Sequence, residues 1–169
     1  MDKIVFITGA SSGIGAGCAR KFASQGASLI LNARNVNKLS ALKEELEKQY
    51  GAKIYLLPFD VRDRKAATSA LESLPKEWQS IDILVNNAGL VIGTDKEQEG
   101  SLDEWDIVID TNVKALLAMT RLIVPGMVER KRGHIINIGS IAGDAAYPGG
   151  SVYCATKAAV KALSDGLRI

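Results

Sequence analysis

Apolar residues along this chain fall into two alternating kinds of segment. Short runs such as Ile4-Val5-Phe6-Ile7 and Ile135-Ile136-Asn137-Ile138 are nearly continuous and rich in β-branched residues. Longer segments between them space their apolar residues three and four apart, the period of a helix with one buried face. The pattern predicts strands over residues 3–8, 28–32, 53–57, 81–86 and 134–138. It predicts helices over 13–25, 36–50, 64–74, 102–130 and 151–168. Strands apolar on both faces belong to a parallel sheet covered on two sides. Strict alternation of strand and helix, joined by right-handed crossovers, makes the fold class α/β, a doubly wound parallel sheet. Gly26 reads as the glycine ending the first helix, and Ser101 with Glu104 as a capping box opening the fourth.

A complete doubly wound sheet of this kind has six strands in two halves, and five are counted here. Residues 1–169 are therefore expected to be one such domain, Rossmann-like, C-terminally incomplete and lacking its last strands. The fifth strand is expected to form an apolar sheet edge. Hydrophobic residues make up 47% of the chain and charged residues 24%, which fits a globular protein. A net charge of +2 gives no reason to expect nucleic acid or an anionic membrane as partner. No stretch reaches the ~20 apolar residues of a membrane span. Met1-Asp2-Lys3 leads straight into the first strand, leaving no room for a signal peptide. Cys18 and Cys154 form no framework, and His134 is the single histidine, so the expectation is a cytoplasmic protein without a metal site.

Thr8-Gly9-Ala10-Ser11-Ser12-Gly13-Ile14-Gly15 lies between the first strand and first helix. Glycine there lets the backbone approach a pyrophosphate, and the helix N-terminus offers it free N–H groups. A glycine-rich turn without a ligand would share the pattern. No Gly-Lys-Ser/Thr follows, which excludes a nucleoside-triphosphate loop. The second strand ends in Asn32-Ala33-Arg34, with no acid nearby in the sequence. A carboxylate at this point selects NAD by holding the ribose 2′-hydroxyl, whereas a guanidinium grips a 2′-phosphate. The expected cofactor is NADP, although Arg34 simply opening a loop remains an alternative.

Tyr153 stands four residues before Lys157, so the two share a helix face. A free tyrosine, with pKa about 10, is a poor base at neutral pH. Making it one takes roughly 3–4 kcal/mol, and a lysine cation at about 4–5 Å, at an effective dielectric of about 20, supplies that much. Ser140 ends the fifth strand, where ligands bind in such sheets, and its hydroxyl is suited to hold a substrate oxygen toward Tyr153. Ser140 as a turn cap and Tyr153 as a packing aromatic are the plain alternatives.

With Asp60-Val61, Asn86-Asn87-Ala88-Gly89 and Asn112 added in order, the chain closely resembles the short-chain dehydrogenase/reductase family. The resemblance implies that Asp60 and Val61 contact adenine, and that Asn87, Ala88 and Gly89 support the ribose and nicotinamide. It makes Asn112, Ser140, Tyr153 and Lys157 the catalytic set. Asn112 would organise a water-linked proton relay to Lys157, and Lys157 would also bind the nicotinamide ribose. Leu74-Pro75, Glu77-Trp78, Pro125-Gly126-Met127-Val128-Glu129-Arg130 and the stretch from Tyr147-Pro148-Gly149-Gly150 to Tyr153 resemble the NADP-dependent serine/3-hydroxy acid dehydrogenase subgroup. That subgroup oxidises the 3-hydroxyl of serine and related small acids. In this chain Ser140, Tyr147 and Tyr153 are the expected substrate residues, with Asp144 lining the same side of the pocket and, alternatively, pairing with an amino group. Homotetramers through the last two long helices are implied as well. The alternatives are a broad-specificity NADPH-dependent carbonyl reductase and a cofactor-binding fragment without turnover. In the family a further strand, a Pro-Gly turn and a substrate loop follow the Tyr/Lys helix, and none is found in this sequence.

Overall fold

The computed structural model describes residues 2–168. Strands β1 (Ile4–Ile7), β2 (Ser28–Leu31), β3 (Ile54–Leu56), β4 (Ile83–Asn86) and β5 (His134–Asn137) form one parallel sheet in the order β3-β2-β1-β4-β5. The chain steps outward from β1 through β2 to β3, then crosses back to lay β4 on the other side of β1. Where the winding reverses, between β1 and β4, a crevice opens at the C-terminal strand ends. The strands are a little shorter than predicted, but the flanking residues still belong to the ladder. Thr8 donates its N–H to the Val85 carbonyl at 3.1 Å, and Asn32 donates to Ile7 at 3.0 Å.

Helices α1 (Gly13–Ser24), α2 (Val36–Tyr50), α3 (Arg64–Glu72), α4 (Leu102–Ile109), α5 (Ala115–Glu129) and α6 (Ser151–Gly166) cover both faces. Side chains alternate across β1: Val5 and Ile7 pack with Ala16 and Ala19 of α1 and Leu39, Leu42 and Leu46 of α2. Phe6 points the other way, onto Ala67 of α3 and Ala115, Met119 and Ile123 of α5. Small residues on the buried face of α1 let it lie close to the sheet. That helix ends as predicted, with Gly26 at φ +80° donating to Ala23 (2.9 Å) and Ala27 to Phe22 (3.1 Å), the paired bonds of a left-handed glycine stop. No described helix is long and apolar enough to cross a membrane.

One prediction is corrected. Residues 102–130 are not a single α-helix: a π-helical turn, Asp110–Lys114, separates α4 from α5. The apolar spacing runs through without a glycine or proline at the junction, so nothing in the pattern announces the break. The turn's buried side chains explain it, because Asn112 is bonded to groups outside the helix, as described below.

Candidate active site

The glycine loop shows why its residue types are required. A Cβ on Gly15 would lie 2.2 Å from the Gly9 carbonyl oxygen, and one on Gly9 would lie 2.9 Å from the Asn87 amide nitrogen. Gly13 is different: its φ is +52°, and a Cβ there would meet nothing within 4 Å. Two glycines thus pack the loop against the sheet, and the third turns the chain beside open space. Ser12 opens α1 without a side-chain cap bond, and Ile14 is exposed. A helix start without a side-chain cap, beside a glycine with open space at its Cβ position, fits a dinucleotide pyrophosphate. Ser11 is half-buried within the loop.

Thr8 ties this loop to the one after β4. Its buried Oγ1 accepts from the N–H groups of Asn87 (3.0 Å) and Ala88 (2.9 Å). The Asn87 side-chain amide donates back to the carbonyls of Thr8 (3.1 Å) and Gly9 (3.0 Å). The residues predicted to hold pyrophosphate and nicotinamide ribose are therefore one hydrogen-bonded unit across the β1–β4 crevice. Gly89 continues it toward Asn112 and Lys157: a Cβ there would lie 3.3 Å from Asn112 Oδ1 and 3.6 Å from Lys157 Nζ.

Asn112, in the π-helical turn, is 2% exposed. Its Oδ1 accepts from the Leu90 N–H at 2.9 Å, and its Nδ2 donates to the Leu90 carbonyl (2.9 Å) and Thr156 Oγ1 (3.1 Å). It joins the loop after β4 to α6 but makes no direct bond to Lys157. Lys157 is 8% exposed and donates from Nζ to the Ile138 carbonyl at 3.0 Å, with Nζ 5.9 Å from the centre of the Tyr153 ring. Burial pushes its ammonium below the ordinary lysine range. Ser140 caps a 3-10 turn, Ile141–Gly143, its Oγ accepting from Ala142 N–H at 3.1 Å. The bond uses only a lone pair, so the hydroxyl hydrogen is free to be donated. Gly143 of that turn touches the backbone of Lys157, where a Cβ would come within 2.8 Å of Lys157 carbonyl atoms.

Tyr153 lines an open cleft between the loop after β4, α4 and the start of α6. Sequence reasoning missed most of its other walls, including Val91, Glu97, Glu104 and Trp105. The available signal was the spacing of Ser101, Glu104, Trp105 and Val108, which shares one face of α4 and reads as an ordinary core stripe. Two residues expected on the substrate side are not among those lining this cleft. Tyr147 does not line this cleft; its ring lies over Gly150, where a Cβ would fall 2.1 Å from it. Asp144 is already paired with Lys161 at 2.5 Å, which turns its carboxylate along α6.

Of the two residues expected to contact adenine, Val61 is buried and Asp60 half-buried. Arg34 is exposed and, among the described residues, has no ion pair. The sequence shows no acid near Arg34, but the fold supplies one: the charge of Arg34 reaches Asp60, four residues beyond the end of the neighbouring β3.

A family model described as short chain dehydrogenase matches residues 3–169. The NADP-dependent 3-hydroxy acid dehydrogenase YdfG of Escherichia coli K12 is 50% identical over 165 residues, covering 98% of this chain and 65% of its own length. The chain thus spans just under two thirds of the curated relatives it matches. Among solved structures, serine dehydrogenase from Escherichia coli superposes with a TM-score of 0.92 at 50% identity, covering 98% of this chain and 74% of that one. A closed form of serine dehydrogenase complexed with NADP+ gives 0.91 at 48%, covering 98% and 65%. The glycine loop, its lock onto the β4 loop and the Tyr153/Lys157 pair therefore lie within a match spanning nearly the whole sequence, and the chain belongs to the short chain dehydrogenase family.

Proposed function

We propose that this chain is the dinucleotide-binding domain of an oxidoreductase that transfers a hydride between NADP and the 3-hydroxyl of serine or a related small 3-hydroxy acid. The observation that carries the reading is the meeting at Gly89, where the cofactor-side loop comes against Asn112 and the buried Lys157. The relatives named above, an NADP-dependent 3-hydroxy acid dehydrogenase and a serine dehydrogenase, supply the substrate class.

Thr8, Gly9, Ser11, Ser12, Gly13, Ile14 and Gly15 would hold the pyrophosphate, Arg34 the 2′-phosphate, and Asp60 and Val61 the adenine. Asn87, Ala88 and Gly89, with Tyr153 and Lys157, would hold the nicotinamide ribose. NADP, when bound, supplies the hydride acceptor or donor. Tyr153 takes the substrate hydroxyl proton on oxidation and returns it on reduction. Lys157, held by the Ile138 carbonyl, keeps a cation beside the phenol. Ser140 donates its free hydrogen to the substrate oxygen, and Asn112 fixes the loop after β4 against α6. Tyr147 contributes from the rim over Gly150. The protein is proposed to be cytoplasmic, in keeping with its two free cysteines, and to form a homotetramer through α4, α5 and α6, where Leu102, Leu117 and Val128 are exposed.

One observation favours a second reading, a carbonyl reductase of broad specificity. The cleft beside Tyr153 is lined by Asp95, Glu97 and Glu104 and, among the described residues, by no lysine or arginine. A substrate carboxylate finds no cationic partner there. The test is NADPH formation by the purified protein with L-serine and 3-hydroxypropionate, beside a panel of neutral alcohols and with NAD+ in parallel. Turnover of the acids with NADP+, abolished by Tyr153→Phe while NADPH still binds, is the expected result. Preference for neutral substrates would favour the second reading. NADPH binding without any turnover would reduce the function to cofactor binding.

A further inference from the structure

Resting on the reading that Arg34 takes a 2′-phosphate, the neighbouring charges raise a difficulty that the structure also resolves. β2 and β3 run parallel with Leu31 opposite Leu56, and the Asn32 amide donates to the carbonyls of Leu57 and Phe59, both at 3.1 Å. Three residues beyond the paired position on one strand comes Arg34; four beyond it on the other comes Asp60. A bare carboxylate here would act against a 2′-phosphate twice. It would repel the phosphate, and it would offer Arg34 a competing fork partner of the kind guanidinium groups favour.

Arg62 occupies that carboxylate. Its Nη2 donates to Asp60 Oδ2 at 2.8 Å, its Nε lies 3.2 Å from both oxygens, and its backbone N–H donates to Oδ1 at 2.9 Å. The other acid in reach of Arg62, Asp110, is itself bound to Lys114 at 2.7 Å, leaving Arg62 committed to Asp60. The hydrogen bonds from Arg62 are the largest influence holding the Asp60 carboxyl below its usual range, with a smaller attraction from Arg34. We propose that Arg62 is a positioning residue for cofactor choice: by clamping Asp60 it leaves the Arg34 guanidinium free for a 2′-phosphorylated dinucleotide. Arg62 need not touch the cofactor to do so.

The test is calorimetric titration of the purified chain with NADP+ and with NAD+, in the parent, Arg62→Gln, Arg62→Lys, Arg34→Ala and the double variant Arg62→Gln/Asp60→Asn. Arg62→Gln is expected to weaken NADP+ roughly tenfold, the scale of one unmasked charge facing a phosphate across partly screened solvent, and NAD+ by no more than about twofold. The loss should be largest at low salt, since an exposed pair is screened as salt rises. Arg62→Lys, which keeps the charge, should retain most of the preference. Removing the carboxylate in the double variant should restore the NADP+ to NAD+ ratio. An unchanged ratio in Arg62→Gln, with preference lost in Arg34→Ala, overturns the masking role and leaves the Arg34 reading standing. A loss that persists in the double variant also overturns it, because Arg62 would then be a direct phosphate ligand. If Arg34→Ala itself leaves the ratio unchanged, the 2′-phosphate reading falls and this inference with it.

Discussion

Lys157 shows how one residue joins stability to chemistry. It is buried beside Tyr153 with the Ile138 carbonyl as its polar partner, and burial lowers its pKa from the ordinary 10.5. Below the lowered value both folded and unfolded chains carry the proton, and the buried ammonium costs stability. Between that value and 10.5 the unfolded chain still binds the proton while the folded one has released it, so stability rises with pH. Above 10.5 the cost is gone. Lys157→Met has no such rise. Urea unfolding of parent and variant across alkaline pH should therefore show their difference shifting in the parent's favour as 10.5 is approached. Parallel curves would mean that the folded lysine is not desolvated. The four-residue spacing from Tyr153 made this lysine legible in the sequence. The clamp of Arg62 on Asp60 was not, because a basic and an acidic residue two apart in a polar stretch look like ordinary solvated surface.

At the scale of elements, the sequence resolved strands and helices well where period and punctuation agreed. Asn35 before α2, Asp63 before α3 and Ser101 before α4 all accept from the N–H three residues on, as capping residues do. The π-helical turn was invisible because its cause is non-local: Asn112 serves the backbone of Leu90, 22 residues away. Local patterns carry no trace of such a partner. Asn112→Ala would leave the Leu90 N–H and carbonyl, and Thr156 Oγ1, without these bonds. An unsatisfied buried group costs about 1–3 kcal/mol, and Leu90 is only half-buried, so a loss of roughly 2–3 kcal/mol is expected by urea unfolding. NADPH affinity should fall too, because Asn87, Ala88 and Gly89 lead directly into Leu90. A variant within 0.5 kcal/mol of the parent would show that water replaces the amide and that the turn does not depend on it.

For the whole molecule, the fold class was legible while the strand order was not. Nothing local marks the return of the chain from β3 to the far side of β1, because both crossovers are made by similar amphipathic helices. That order has a functional consequence. The glycine loop leaves β1, the central strand, buried from Val5 to Ile7, and locks onto the loop after β4 beside it. Ser140 leaves β5, which among the described residues pairs only with β4, and whose residues are exposed at His134 and half-buried from Ile135 to Asn137. Lys157 on α6 packs beside β5, bonded to the Ile138 carbonyl and against Gly143 of the turn that carries Ser140. The residues proposed to hold the cofactor thus adjoin β1 and β4, each paired on both sides, and those proposed for proton transfer adjoin β5. Local opening follows burial and pairing, so amide exchange should be slowest at Phe6, Ile7, Leu84 and Val85 and clearly faster at Ile135 and Ile136. Saturating NADPH should slow exchange in the loop after β4 more than in β5, because Thr8 and Asn87 couple that loop to β1. Uniform protection across β1 and β5 would mean that the sheet opens as one unit.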